Sequence, residues 1–399
     1  MIECQIGALR LIALTLSTAV VLAGSAMPSN AQTPPPVVPD AKMLSHSIVD
    51  GGDIARLQKV FAKARAGQPI VVAAIGGSIT AGAKASKWSL NYCSLVGSWW
   101  QKAFPNTAVT VVNAGVGATG SNYAAFRAER DLLSKHPDFV VVEFAVNDAA
   151  SSSSQPAYEG LLRQILSQPQ QPAVLMLFMM HEGGGNAQAF QVPVGKHYNL
   201  PMISYRDASW PEIQAGTFKW DDIEADQVHP NDAGHAFAAK LVTSFLESAM
   251  ASTSKSDISA TLPAPLTTDL YQFCRLYMPN AITPTRADGW TLNDKNQFIA
   301  TQPGSIFECD VEGTSISLMS WRIRGPMGKV KAQVDNEPAK VIDDWFDQTW
   351  GGYQTTDLLA SDLDPGKHHV RVELLPDKDP LSTGNECHIL GIAAAGTGR

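Results

Sequence analysis

The stretch PIVVAAIGGSIT, Pro69 to Thr80, carries a continuous apolar run, closed by two glycines and a serine. A strand with one wet face alternates apolar and polar residues. A strand buried on both faces does not, and such strands belong to parallel sheets covered by helices. Gly76 and Gly77 permit a tight turn and close backbone approach. The turn would present the Ser78 hydroxyl and its own N–H at the end of the sheet. Position 80 is Thr, so this is not the G-x-S-x-G elbow. The plainer alternative is a serine that caps the next helix.

Working outward, strand-like and helix-like segments alternate. Asp53 to Ala66 has apolar residues at helical spacing before the run. After it, YCSLVGSWWQKAF reads as a helix, TAVTVVNAG as a second strand and YAAFRAERDLLSKH as a helix stopped by Pro137. FVVVEFAVND is a third strand, Tyr158 to Ser167 a helix, AVLMLFMM a fourth strand and PMISY a short fifth. DAGHAFAAKLVTSFLESAM is a long amphipathic helix. This order predicts an α/β domain, a parallel sheet with helices on both faces, over residues 53–250.

Residues 251–269, ASTSKSDISATLPAPLTTD, are small, polar and Pro-containing, and read as a linker. Beyond it the period changes. SIFECDV, SISLMSW, VKAQVD and HHVRVELL alternate, with turn signals such as DNEP and DPGK between them. Residues 270–399 therefore read as an all-β sandwich or jelly roll.

At the other end, Leu11 to Gly24 is a short apolar run behind Arg10, followed by the small residues Ser29 and Ala31. This is the pattern of a signal peptide cut after Ala31, and it predicts a periplasmic or secreted protein. Residues 32–52 form a Pro-rich lead-in, extended at least over Gln32 to Asp40. The net charge is -8, with no basic tract, which argues against nucleic acid and against anionic lipid as partners. No other segment is long and apolar enough to span a membrane once the presequence is gone. Of the five cysteines, Cys4 lies in the presequence. Cys93, Cys274, Cys309 and Cys387 remain. An exported chain permits disulfides, and any bridge is expected among the last three; buried free thiols are the alternative.

Four pieces carry chemistry. The first is the Ser78 turn. The second is NAGVGATGS after the second strand, with Gly115, Gly117 and Gly120 spaced as G-x-G-x-x-G. A dinucleotide loop of that spacing would follow the first strand and have its acid at the end of the next one. Here it follows the second strand, and Glu143 lies inside the third. The third piece is EFAVND, where Asn147 ends a strand and its side-chain N–H can stabilise developing negative charge. The fourth is DQVHPNDAGH. Asp226 and His229 stand three apart before the last helix, a carboxylate that orients an imidazole able to take a proton from a serine. HEGGGN, His181 to Asn186, lacks the second histidine of a zinc-protease motif and reads as a loop that can line a cleft. His235 is placed on the helix surface or in the core.

In that order and spacing, GGSIT, NAGVGATGS, EFAVND and DQVHPN resemble the four sequence blocks of the SGNH/GDSL hydrolase family, over roughly residues 65–250. The resemblance implies a flavodoxin-like α/β/α domain and acyl-ester hydrolysis with neither cofactor nor metal. Carried over by position, it makes Ser78 the nucleophile, His229 the general base and Asp226 its partner. The oxyanion donors would be the N–H of Ser78, a backbone N–H of the second block and the Asn147 side chain. The family's oxyanion glycine falls on Ala118, with Gly117 one residue early, and either can donate. The first block reads Gly-Gly-Ser where many members have Gly-Asp-Ser.

The β domain holds Trp290, Trp321, Trp345, Trp350 and Tyr353. Such rings can stack on sugars; packing in the sandwich core is the alternative. Jelly-roll modules beside SGNH domains are common among carbohydrate-active esterases. The expectation is a serine esterase that removes acetyl or other short acyl groups from a carbohydrate. An O-acyltransferase using the same acyl-enzyme is the rival enzyme reading, and a glycan-binding protein with an incidental SGNH domain the rival of another class.

Overall fold

A computed structural model describes residues 37–252, 257–259 and 261–397. The presequence, residues 1–31, lies outside the described residues, as does part of the linker. Among the described residues no helix is long and apolar enough to cross a membrane.

The α/β part opens with α1 (Ala41–Ser47), β1 (Ile48–Asp50) and α2 (Ala55–Arg65). The lead-in expected to run through residue 52 is thus already folded from Ala41. Asp40 caps α1 by accepting from Met43 N at 2.8 Å. Then follow β2 (Ile70–Gly76), α3 (Ser78–Ala81), α4 (Tyr92–Ala103), β3 (Val109–Gly115), α5 (Ser121–Asp131) and β4 (Phe139–Glu143). The part closes with α6 (Gln155–Leu166), β5 (Ala173–Phe178), α7 (Gln188–His197), β6 (Met202–Ser204), α8 (Tyr205–Gln214), α9 (Trp220–Ile223) and α10 (Asp232–Ala251).

The sheet order is β1-β6-β5-β4-β2-β3. The five strands from β2 to β6 are parallel, and β1 adds an antiparallel edge on β6. Numbered by themselves, the parallel strands run 2-1-3-4-5, the flavodoxin-like order. The chain passes from β2 to β3 on one side and then crosses back over β2 to β4 on the other. A crevice opens at the strand ends where that reversal occurs, and Ser78 stands there, directly after β2. The continuous apolar runs of β2, β4 and β5 are buried on both faces, one against α2, α4 and α10, the other against α5 and α6.

The second part is a two-sheet sandwich. One sheet contains β7 (Cys274–Tyr277), β9 (Thr291–Leu292), β10 (Phe298–Ala300), β12 (Ser315–Arg322), β15 (Tyr353–Ala360) and β17 (Cys387–Ala395). The other contains β8 (Arg286–Asp288), β11 (Ile306–Glu312), β13 (Lys329–Val334), β14 (Lys340–Asp343) and β16 (Lys367–Leu374). Alternating residues of both, among them Phe307, Val330, Val370 and Ile389, fill the space between them, joined by Trp290 from the connection between β8 and β9. Cys93, Cys274, Cys309 and Cys387 are all free, which is the free-thiol alternative and not a bridge among the last three. Cys309 and Cys387 pack as small apolar side chains in the sandwich core.

The two parts share a core. Tyr123 and Phe126 of α5 pack against Met319, Leu390 and Ala393 of the sandwich. The described second half of the linker is fastened down. Glu159 on α6 accepts from the backbone N–H groups of Leu266 and Thr267, the latter at 2.7 Å. Arg163 donates to Pro263 O at 2.8 Å. A linker held by a buried carboxylate and a guanidinium fixes the sandwich beside the strand ends.

Candidate active site

The Ser78 turn is shaped by what a side chain would hit. A Cβ on Gly76 would lie 2.0 Å from Thr80 Oγ1 and 2.6 Å from Glu143 O. One on Gly77 would lie 1.9 Å from Asn147 Oδ1. The turn is thus pressed onto the end of β4, which explains the Gly-Gly pair and brings Asn147 beside the serine. Ser78 begins α3.

His229 Nε2 lies 2.8 Å from Ser78 Oγ, and His229 Nδ1 lies 3.0 and 2.9 Å from the two oxygens of Asp226. The spacing of three works because residues 226–229 form a turn. Asp226 Oδ1 accepts from Val228 N at 3.0 Å and His229 N at 2.9 Å, while Trp220 Nε1 donates to Asp226 O at 2.8 Å. Burial opposes the charged form of Asp226. The hydrogen bonds from His229 and Val228 outweigh it and hold the carboxyl below its usual range. Lys84 Nζ lies 3.7 Å from Asp226 Oδ2, a cation that no sequence motif marks.

Asn231 then caps α10 through Ala233 N and Gly234 N. His235 is buried, accepting at Nδ1 from Tyr92 N at 3.4 Å and donating from Nε2 to Ala83 O at 3.1 Å. Asp232 takes Ser86 N at 2.7 Å and Ser86 Oγ at 2.6 Å. The helix that follows the His229 turn therefore also straps the loop that follows the Ser78 turn.

The second block lies beside Ser78. A Cβ on Gly115 would be 2.2 Å from Ala81 N, so this loop packs on α3 and leaves no room for a pyrophosphate. Ala118 has φ +56°, a left-handed conformation that glycine adopts freely and alanine does not. Among the described residues no protein group accepts from the backbone N–H of Ser78, Gly117 or Ala118. Thr119 Oγ1 donates to Val116 O at 2.7 Å and steadies the turn. Asp148, after Asn147, accepts from Ser121 N at 2.8 Å at the start of α5. Burial pushes its carboxyl up to about 6. Glu143, the acid a dinucleotide site would have needed at a ribose, is buried under α3 and takes Thr80 Oγ1 at 3.1 Å.

Ser78, Ala118, Gly117, Asn147, Asp226 and His229 all line one cleft of about 740 Å³, with His181 and Lys84. Its far wall comes from the sandwich: Trp321, Trp350, Gly352, Tyr353 and Gln354. A Cβ on Gly352 would be 2.5 Å from the Trp321 indole, so the backbone lies flat on that ring. Trp350 stands 5.1 Å from Phe346 and 5.8 Å from Tyr353, centroid to centroid. Of the aromatics singled out, Trp290 is core instead, and Trp345 does not line the cleft. His181 Nε2 is fixed on Val146 O at 2.9 Å.

A hydroxyl–imidazole–carboxylate chain at the switch point of a 2-1-3-4-5 sheet is the arrangement of an SGNH-type hydrolase. Residues 74–237 match the model of the GDSL-like lipase/acylhydrolase family. A two-domain esterase active on acetylated mannans, solved with mannopentaose, shares 32% identity at a TM-score of 0.81, covering 89% of this chain and 98% of its own. An acetyl xylan esterase matches at 24% identity and a TM-score of 0.38, over 44% of this chain and 98% of its own. No curated protein matches. The chain belongs to the GDSL-like lipase/acylhydrolase family, and it is a carboxylic ester hydrolase.

Proposed function

We propose that this protein removes acetyl or similarly short acyl groups from an acylated carbohydrate, acetylated mannan being the first candidate, outside the cytoplasm. The observation that carries the reading is the shared cleft, with the Ser78–His229–Asp226 chain on one side and the ring faces of Trp321, Trp350 and Tyr353 on the other. Amphipathic rings suit the apolar face of a sugar. The substrate of the two-domain relative supports mannan, and the presequence supports export.

In this mechanism Ser78 Oγ attacks the ester carbonyl as His229 Nε2 takes the hydroxyl proton. Asp226 holds the imidazole tautomer and balances the imidazolium. The N–H groups of Ser78 and of Ala118 or Gly117, with the Asn147 amide, receive the oxyanion. Collapse expels the sugar oxygen, which takes the proton from His229. Water, deprotonated by His229, then attacks the acyl-serine, and acetate leaves.

The test is hydrolysis of p-nitrophenyl acetate, butyrate and octanoate, and acetate release from acetylated mannan, with Ser78→Ala alongside. Ser78→Ala should reduce kcat by several orders of magnitude while the fold is retained, and activity should fall with acyl length. Turnover that survives Ser78→Ala removes Ser78 from the mechanism. Acyl transfer to added glycan in place of acetate release makes the protein a transferase.

A further inference from the structure

Beneath the two loops that bracket the reacting ester lies a buried cation outside the Ser78–His229–Asp226 chain. Arg127, on α5, is fully buried. Its Nη1 donates to Ala114 O at 2.7 Å, and its Nη2 donates to Gly76 O at 3.1 Å. These are carbonyls at the ends of β3 and β2. The ladder between those strands stops at Gly76–Gly115. From there one chain turns into Gly77 and Ser78 and the other into Gly117 and Ala118. Past that point Val116 N, which donates to Gly76 O at 3.0 Å, still ties the two chains directly. The guanidinium fork bridges the same gap from below.

The surroundings hold the fork in place without neutralising it fully. Asp131 lies 3.2 Å from Nη1 and is partly exposed. Nε has no partner. The Tyr123 ring lies 5.6 Å from the guanidinium carbon, and its hydroxyl donates to Gln354 in the sandwich wall of the cleft. A buried charge is costly, and an apolar side chain of similar volume would fill a core at least as well. What the apolar side chain lacks is two donors held in one plane at fixed separation.

We infer that Arg127 is a positioning residue for ester hydrolysis: it sets the distance between the Ser78 turn and the 117–118 loop by bonding the last carbonyl of β2 and the last but one of β3. The inference rests on the serine-esterase reading above. Lysine can reach one carbonyl but cannot span both with fixed geometry. Methionine fills space and donates nothing. Misplacing an oxyanion donor by a fraction of an ångström weakens transition-state contacts and leaves ground-state binding alone.

Arg127→Lys and Arg127→Met are compared with the wild type on p-nitrophenyl acetate, with circular dichroism to verify folding and Ser78→Ala in parallel. The expected result is a fall in kcat of about 10–100-fold for Met and less for Lys, with KM within about twofold. Should the Met variant fail to fold, the kcat of Lys decides. A folded variant with wild-type kcat, or one whose loss lies in KM alone, overturns the inference and leaves the esterase reading intact. Wild-type turnover that is independent of Ser78 overturns both.

Discussion

Glu143→Gln probes the floor of the site, where a carboxyl at the end of β4 is buried among Thr80, Tyr92 and the Ser78 turn. Thr80 Oγ1 donates to Glu143 Oε2 at 3.1 Å, and Oε1 has no partner. Burial, with the nearby Asp148 charge adding to it, raises this carboxyl from 4.5 to about 8. A carboxyl raised in this way contributes its stability in full below its unfolded value, and that contribution is lost as pH rises through its folded value. The window therefore runs from 4.5 to about 8. At about 1.36 kcal/mol per unit, the shift sets a ceiling of roughly 5 kcal/mol. Because interiors screen better than dry protein, about 2–3 kcal/mol is expected. Glutamine accepts from Thr80 in the same way and stays neutral at every pH. Urea unfolding followed by tryptophan fluorescence, near pH 5 and near pH 9, gives the comparison. The two proteins should agree within about 1 kcal/mol at the acid end. The Gln variant should be more stable by about 2–3 kcal/mol at the alkaline end. Glu224, pushed up to about 8, Asp344, up to about 7, and Asp148, up to about 6, titrate in both proteins, so the difference reports Glu143 together with its coupling to Asp148. Parallel pH profiles for the two proteins would refute the reasoning.

Two further outcomes follow from particular residues. Ala118→Gly relieves the φ of +56° and should stabilise the fold by up to about 1 kcal/mol, raising Tm by about 1 °C in a chain of this length; a lower Tm in a thermal melt would contradict the strain. Trp350→Ala should raise KM for acetylated manno-oligosaccharides about 3–10-fold and leave p-nitrophenyl acetate within about twofold. Equal effects on both substrates would mean that the ring shapes the site and does not stack on sugar.

The α/β layers were legible because their signals are local. A continuous apolar run needs cover on both faces, and helices at 3.6 spacing supply it. Ile70–Gly76, Phe139–Glu143 and Ala173–Phe178 each read as buried strands and are so. The strand Ile48–Asp50 was not legible, because three residues on an edge carry no period of their own. It exists through its pairing with Met202 and Ile203. Whether the cysteines pair was a matter of spacing in three dimensions, which cysteine counting does not supply. Ser78, Asp226 and His229 stood out because each falls directly after a strand or just before a helix, where glycines and caps mark the chain; Asn147, expected to end a strand, instead stands four residues beyond the end of β4 at Glu143. Arg127 and Lys84 did not, since an arginine on a helix face or a lysine in a loop looks the same whether it is solvated or placed.

By itself the sequence determined the order of strands and helices, the change of period near residue 270 and which side chains could do acyl chemistry. Periodicity, glycine turns and capping are properties of neighbours in the chain. Only the tertiary structure decided that the sheet reverses direction at β2, that Gly77 must be glycine to admit Asn147, and that Ala118 lies in a left-handed turn. The same holds for the sandwich, which closes the cleft with Trp321, Trp350 and Tyr353. These contacts join residues far apart in sequence, and their geometry follows from the shared core of α5 and the sandwich sheet, which no local pattern encodes.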